Sequence, residues 1–153
     1  VLHSGARIAF GSDCQAQIDP LEDARELDYH LRLIRQQRVM LDQIGEQGIA
    51  ARLFDCATRN GAHSLSVPAG RLEPGMTADF FTIDLQDVSI AGNSADDLLP
   101  MIVFGMNRTA IRDVAVNGRL VVRDGRHALQ QEIVTRYAEV HATVWRGAGD
   151  RPR

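Results

Sequence analysis

Arg7-Ile8-Ala9-Phe10 is a short apolar, β-type run that breaks at Gly11 and leaves Ser12 and Asp13 at its C-terminal end, with almost nothing before it in the chain. One strand is not a sheet, because its backbone N–H and C=O groups need neighbours. The run therefore either pairs with strands encoded much later or belongs to a sheet whose other strands lie outside this sequence. A carboxylate at the carboxyl end of a parallel strand stands where α/β folds keep their chemistry, which gives Asp13 a claim to function. Against that, an Asp after Gly-Ser is on its own chemistry a turn residue.

The next segment is helical. Asp19-Pro20-Leu21-Glu22 supplies an N-cap, a proline at the first helical position and an acid three residues after the cap. Leu21, Ala24, Leu27, Leu31 and Ile34 then recur every three or four residues as one apolar stripe. Arg25, Arg32, Arg35 and Arg38 lie largely off it and read as a solvated face, making exposed ion pairs with Glu26 and Asp28 worth about 0.3–0.5 kcal/mol each. A second helix is expected from Ile49 to Arg59, with Asn60-Gly61 as its stop and a short helical turn from Ala62 to Leu65.

Near Ser66 the character changes. Pro68, Gly70, Pro74 and Gly75 punctuate short segments, and Asp79 to Ile83 reads as a buried strand. Ile111 to Val116 and Arg119 to Val122 flank Asn117-Gly118, the strongest short-range hairpin signal, and Asp124-Gly125 is expected to end the second strand. Glu132 to Trp145 carries Ile133, Tyr137, Val140 and Val144 at helical spacing before a polar tail, Gly147 to Arg153, that is expected to fray.

Charge and cysteine usage narrow the function classes. In 153 residues, 17 Lys and Arg against 20 Asp and Glu give −3, with no basic stretch, so a small-molecule substrate is expected and no nucleic acid. Cys14 and Cys56 have neither disulfide-scaffold nor metal-type spacing and read as simple thiols of a reduced, cytoplasmic protein. No apolar run is long enough to span a bilayer, so no membrane partner is expected. The chain opens on Val1 one short step before a strand, which reads as a cut through a longer polypeptide.

Several phrases together resemble the C-terminal part of the amidohydrolase superfamily. They are Gly11-Ser12-Asp13, Thr58-Arg59-Asn60-Gly61-Ala62, Ala69-Gly70-Arg71-Leu72-Glu73-Pro74-Gly75 before Ala78-Asp79-Phe80, and Val114-Ala115-Val116-Asn117-Gly118-Arg119. Within it, Asp19-Pro20-Leu21-Glu22 with Glu26 to Leu33, Asp96-Asp97-Leu98-Leu99-Pro100 and Arg123-Asp124-Gly125-Arg126-His127 look most like the deiminases of bacterial histidine breakdown. The resemblance implies an α/β chain, the C-terminal fragment of a (β/α)8 metallohydrolase barrel plus part of a small β-sandwich domain and a terminal helix. Its expected divisions are 1–65 for the last strand and C-terminal helices of the barrel, 66–127 for the C-terminal part of the sandwich, and 128–153 for the terminal helix and tail.

The activity so implied is zinc-dependent hydrolysis of N-formimidoyl-L-glutamate to N-formyl-L-glutamate and ammonia. Asp13 is the residue the resemblance carries over, as metal ligand and as catalytic acceptor of the water proton. The resemblance implies histidine ligands on earlier strands, and His3, His30, His63, His127 and His141 include no His-x-His pair that could stand for them here. The chain by itself is thus expected to lack metal, substrate pocket and activity, its first partner being the missing N-terminal part of the same polypeptide. Half of the sandwich would be missing too, and its exposed edges would invite association, so a homo-oligomer stays open. Cys14 and His30 read as packing or surface residues, and His127 as turn chemistry. Two alternatives remain open: another amidohydrolase deaminase, acting on guanine or a related heterocycle, and a non-catalytic binding module built on the hairpin domain.

Overall fold

The computed structural model describes residues 6–13, 17–38 and 48–146. Helix α1 (Pro20–Arg35) starts as its sequence dictates: the Asp19 side chain accepts from the Leu21 N–H at 3.0 Å and the Glu22 N–H at 3.4 Å. A cap of this kind stabilises a helix by about 1 kcal/mol. Helix α2 (Ile49–Ala57) breaks at Thr58, whose dihedrals (φ −118°, ψ −86°) are not helical, and α3 (Arg59–Ser64) follows directly. The expected stop at Asn60-Gly61 is therefore wrong, and the reason is visible in Asn60, whose side chain donates to the Ile8 carbonyl instead of capping a helix.

Helix α4 (Leu98–Phe104) lies far along the chain yet joins α1 and α2 in one core of Ala24, Ala50, Leu53 and Val103. Arg25 fastens it: Nε donates to the Val103 carbonyl at 2.7 Å and Nη2 to the Met106 carbonyl at 2.9 Å. These are carbonyls at the end of α4, where a cation is also favoured by the helix dipole. A smaller core of Ile90, Met106 and Ala110 gathers Leu21, Met101 and Ile111 around it.

The expectation that the arginine face and its acids are solvated fails at Asp28, which is 0% exposed. Arg32 Nη2 lies 2.6 Å from Asp28 Oδ2, a close charge contact without hydrogen-bond alignment, and Asp28 Oδ1 has no partner. Asp28 sits four residues after Ala24 and three before Leu31, inside the apolar stripe. At the other end of the stripe Ile34 is exposed, because the last turn of α1 runs past the residues that cover its middle.

The four strands, β1 (Phe80–Ile83), β2 (Ile111–Val116), β3 (Arg119–Arg123) and β4 (Arg126–His127), form one antiparallel sheet in the order β1-β2-β3-β4. Val116 pairs with Arg119 across Asn117 (φ 51°) and Gly118 (φ 73°), a type I′ turn. Asp124 (φ 49°) and Gly125 (φ 74°) repeat it, pairing Arg123 with Arg126. That dipeptide ends the strand as expected and also turns the chain into a further short strand, since Asp-Gly meets the same demand for two left-handed residues. Within the strands only Ala115 is fully buried, and Phe80 and Phe81, expected in a buried strand, remain partly exposed. Among the described residues there is no second sheet to cover them. Phe81 reaches the helices through Phe54, ring centroids 6.5 Å apart.

Helix α5 (Gln130–Arg146) follows the sheet and buries none of its side chains. The tail from Gly147 lies outside the described residues.

Candidate active site

The segment that carries Asp13 is not a strand among the described residues, contrary to the reading of Arg7 to Phe10. The physical reason is the one that made it suspect, the lack of a neighbouring strand. It is held by the helices instead. The Phe10 N–H donates to the Cys56 carbonyl at 3.2 Å, and Asn60 Nδ2 donates to the Ile8 carbonyl at 2.9 Å. Both anchors sit around the break between α2 and α3, so that break aims the segment.

At its end Asp13 is exposed, with φ 35°, and its carboxylate has no hydrogen-bond or ion-pair partner among the described residues. It is not spent on its own turn. Between the segment and α1 runs an open groove of about 370 Å³, lined by Ile8 to Gly11 on one side and by Asp23, Glu26, Leu27 and His30 on the other. Asp13 does not line it. Burial, and then the neighbouring carboxylates of Asp19, Glu26 and Glu22, pushes the Asp23 carboxyl above its ordinary value. His30 is turned away from chemistry, its Nδ1 donating to the Glu26 carbonyl at 2.7 Å.

The remaining candidates do not converge. His63, His127 and His141 are exposed and scattered: His127 Nδ1 accepts from the Leu129 N–H at 3.1 Å, and His141 stacks between Tyr137 and Trp145. His3 and Cys14 lie outside the described residues. Cys56 is buried, and that burial pushes its thiol up, leaving it a packing residue. No group of three or more His, Cys, Asp or Glu among the described residues could hold a metal ion. A catalytic zinc needs three protein donors, so these residues do not fit the metal by themselves. Asp28 and Asn60 are the two polar residues the sequence reading passed over. The position of Asp28 within the apolar stripe was the available signal for one; the other had none, because its partner Ile8 is 52 residues away.

Residues 1–121 of the chain match the amidohydrolase family, and the chain belongs to that family. Among particular relatives, formimidoylglutamate deiminase of Pseudomonas aeruginosa is 35% identical over 139 residues, covering 91% of this chain and 31% of that protein. A 5-methylthioadenosine/S-adenosylhomocysteine deaminase of Natronomonas pharaonis is 28% identical over 156 residues, 97% of this chain and 34% of that protein. The fold is similar to that of atrazine chlorohydrolase from Arthrobacter aurescens TC1 solved with zinc, with a TM-score of 0.72 at 24% identity over 90% of this chain and 30% of the other. The chain thus spans about a third of the length of the relatives it matches. No described helix is long and apolar enough to cross a membrane.

Proposed function

We propose that this chain is the C-terminal portion of a cytoplasmic, zinc-dependent aminohydrolase that converts N-formimidoyl-L-glutamate to N-formyl-L-glutamate and ammonia. In this reading residues 1–65 complete a (β/α)8 barrel, residues 66–127 complete a β-sandwich, and the preceding part of the polypeptide supplies the histidines and the substrate pocket. Zinc belongs in this reading to the complete protein, since Asp13 has no further metal-ligating side chains clustered with it among the described residues. Asp13 supplies that carboxylate and accepts the proton released as water attacks the formimino carbon. Asn60, through the Ile8 carbonyl, holds the segment that presents it.

The observation that carries the substrate choice is the 35% identity to formimidoylglutamate deiminase along 91% of the chain. A second reading, a deaminase of guanine or a related heterocycle, is favoured by the 28% identity to a 5-methylthioadenosine/S-adenosylhomocysteine deaminase. Ammonia release by the complete zinc-loaded polypeptide separates the two. Turnover of N-formimidoyl-L-glutamate with none of guanine or 5-methylthioadenosine is expected, and the reverse preference replaces the first reading with the second. Asp13→Asn should cut turnover on the order of 100- to 10,000-fold and lower bound zinc by metal analysis. Unchanged turnover removes Asp13 from the chemistry. The 153-residue chain alone should release no ammonia.

A further inference from the structure

The segment that leads to Asp13 has two anchors of unequal kind. The Phe10 N–H bonds to a backbone carbonyl, that of Cys56, which any residue there would offer, whereas the Ile8 carbonyl is met by the side chain of Asn60. Only a donor can satisfy that oxygen. Asn60 is half-buried in the first turn of α3, and its Nδ2 has an acceptor for each hydrogen, the Ile8 oxygen at 2.9 Å and Cys56 Sγ at 3.9 Å. The reversed amide would set oxygen against oxygen.

The turn that carries Asn60 is itself held in place. Thr58 Oγ1 donates to the Phe54 carbonyl at 2.8 Å and ties the break back to α2. From the chain beyond α3, Gly70 (φ 84°) approaches so closely that a Cβ on it would stand 2.8 Å from the Thr58 oxygen and 2.9 Å from the Arg59 Cα. No side chain fits there, so the start of α3 has little room to shift. We infer that Asn60 is a positioning residue for Asp13 and acts through the polarity of its amide: by donating to Ile8 it sets where the segment presents the carboxylate. This rests on the reading of Asp13 as the reacting carboxylate. It adds that a hydrogen-bond donor on another element governs the chemical step.

Kinetics and hydrogen exchange on the complete zinc-loaded polypeptide test it together. Asn60→Ala should lower kcat on the order of 10- to 100-fold with KM within about twofold, because the carboxylate is displaced while the substrate pocket is not. Asn60→Asp keeps the shape but turns a charged acceptor on the Ile8 oxygen, so its kcat should fall below that of Asn60→Ala. A residue that merely filled space would give the opposite order, and that order overturns the inference. In both variants the amides of residues 7–13 should exchange about tenfold faster while α1 and α2 keep wild-type protection. Protection lost throughout, or a failure to fold, would make Asn60 a residue of the fold at large and overturns it too. With Asp13→Asn inactive, an unchanged kcat in Asn60→Ala sinks this inference alone. Full turnover by Asp13→Asn sinks the reading beneath it, whatever the exchange rates.

Discussion

Helices α1 and α5 are 16 and 17 residues long and carry the same kind of apolar stripe, yet α1 buries Ala24 and Asp28 completely and α5 buries nothing. The difference lies in what the rest of the chain brings to them. Between α1 and α4 the chain makes a core, while α5 has no cover among the described residues. Periodicity states which side of a helix wants burial, and a partner elsewhere in the molecule decides whether that happens.

Leu53, in the core that covers α1, tests this contrast hardest. Leu53→Ala should cost about 3 kcal/mol in denaturant unfolding, whereas Val140→Ala, at an exposed position, should cost less than about 0.5 kcal/mol. Equal losses would mean that α5 is covered after all. Arg32→Ala comes next. It strips the buried Asp28 of its counter-charge and should cost on the order of 2 kcal/mol, less than a fully buried pair because Arg32 is 40% exposed, with Arg32→Lys recovering part of the loss. A change within error would show that Asp28 finds another partner. Smallest of the three, Asp19→Ala should lower stability by about 1 kcal/mol, measured against Asp19→Asn, which can still accept from Leu21 and Glu22.

Local chemistry was legible before any coordinates. Asp19-Pro20 began α1, Asn117-Gly118 made a hairpin, and the α5 stripe formed a helix. Most of the misses depend on residues far away. Asn60 looked like a stop because its acceptor on Ile8 is distant in sequence. Residues 7–10 looked like a strand by their β-type composition, and the want of an adjacent strand, already visible in the sequence, is what keeps them from forming one. Asp28 was counted as solvated although its own position in the stripe argued otherwise, a failure of period counting. At the candidate site, Asp13 was singled out by its place after a β-type run, while the bonds that hold the segment leading to it, Phe10–Cys56 and Asn60–Ile8, had no signal in the sequence.

The Arg25 bond to the Val103 carbonyl spans 78 residues, whereas the turns at Asn117-Gly118 and Asp124-Gly125 each close two. Loop-closure entropy grows with the logarithm of the loop, so it weighs on the helical core and hardly at all on the meander. The region that presents Asp13 is thereby the part of the chain whose formation asks most of long-range order.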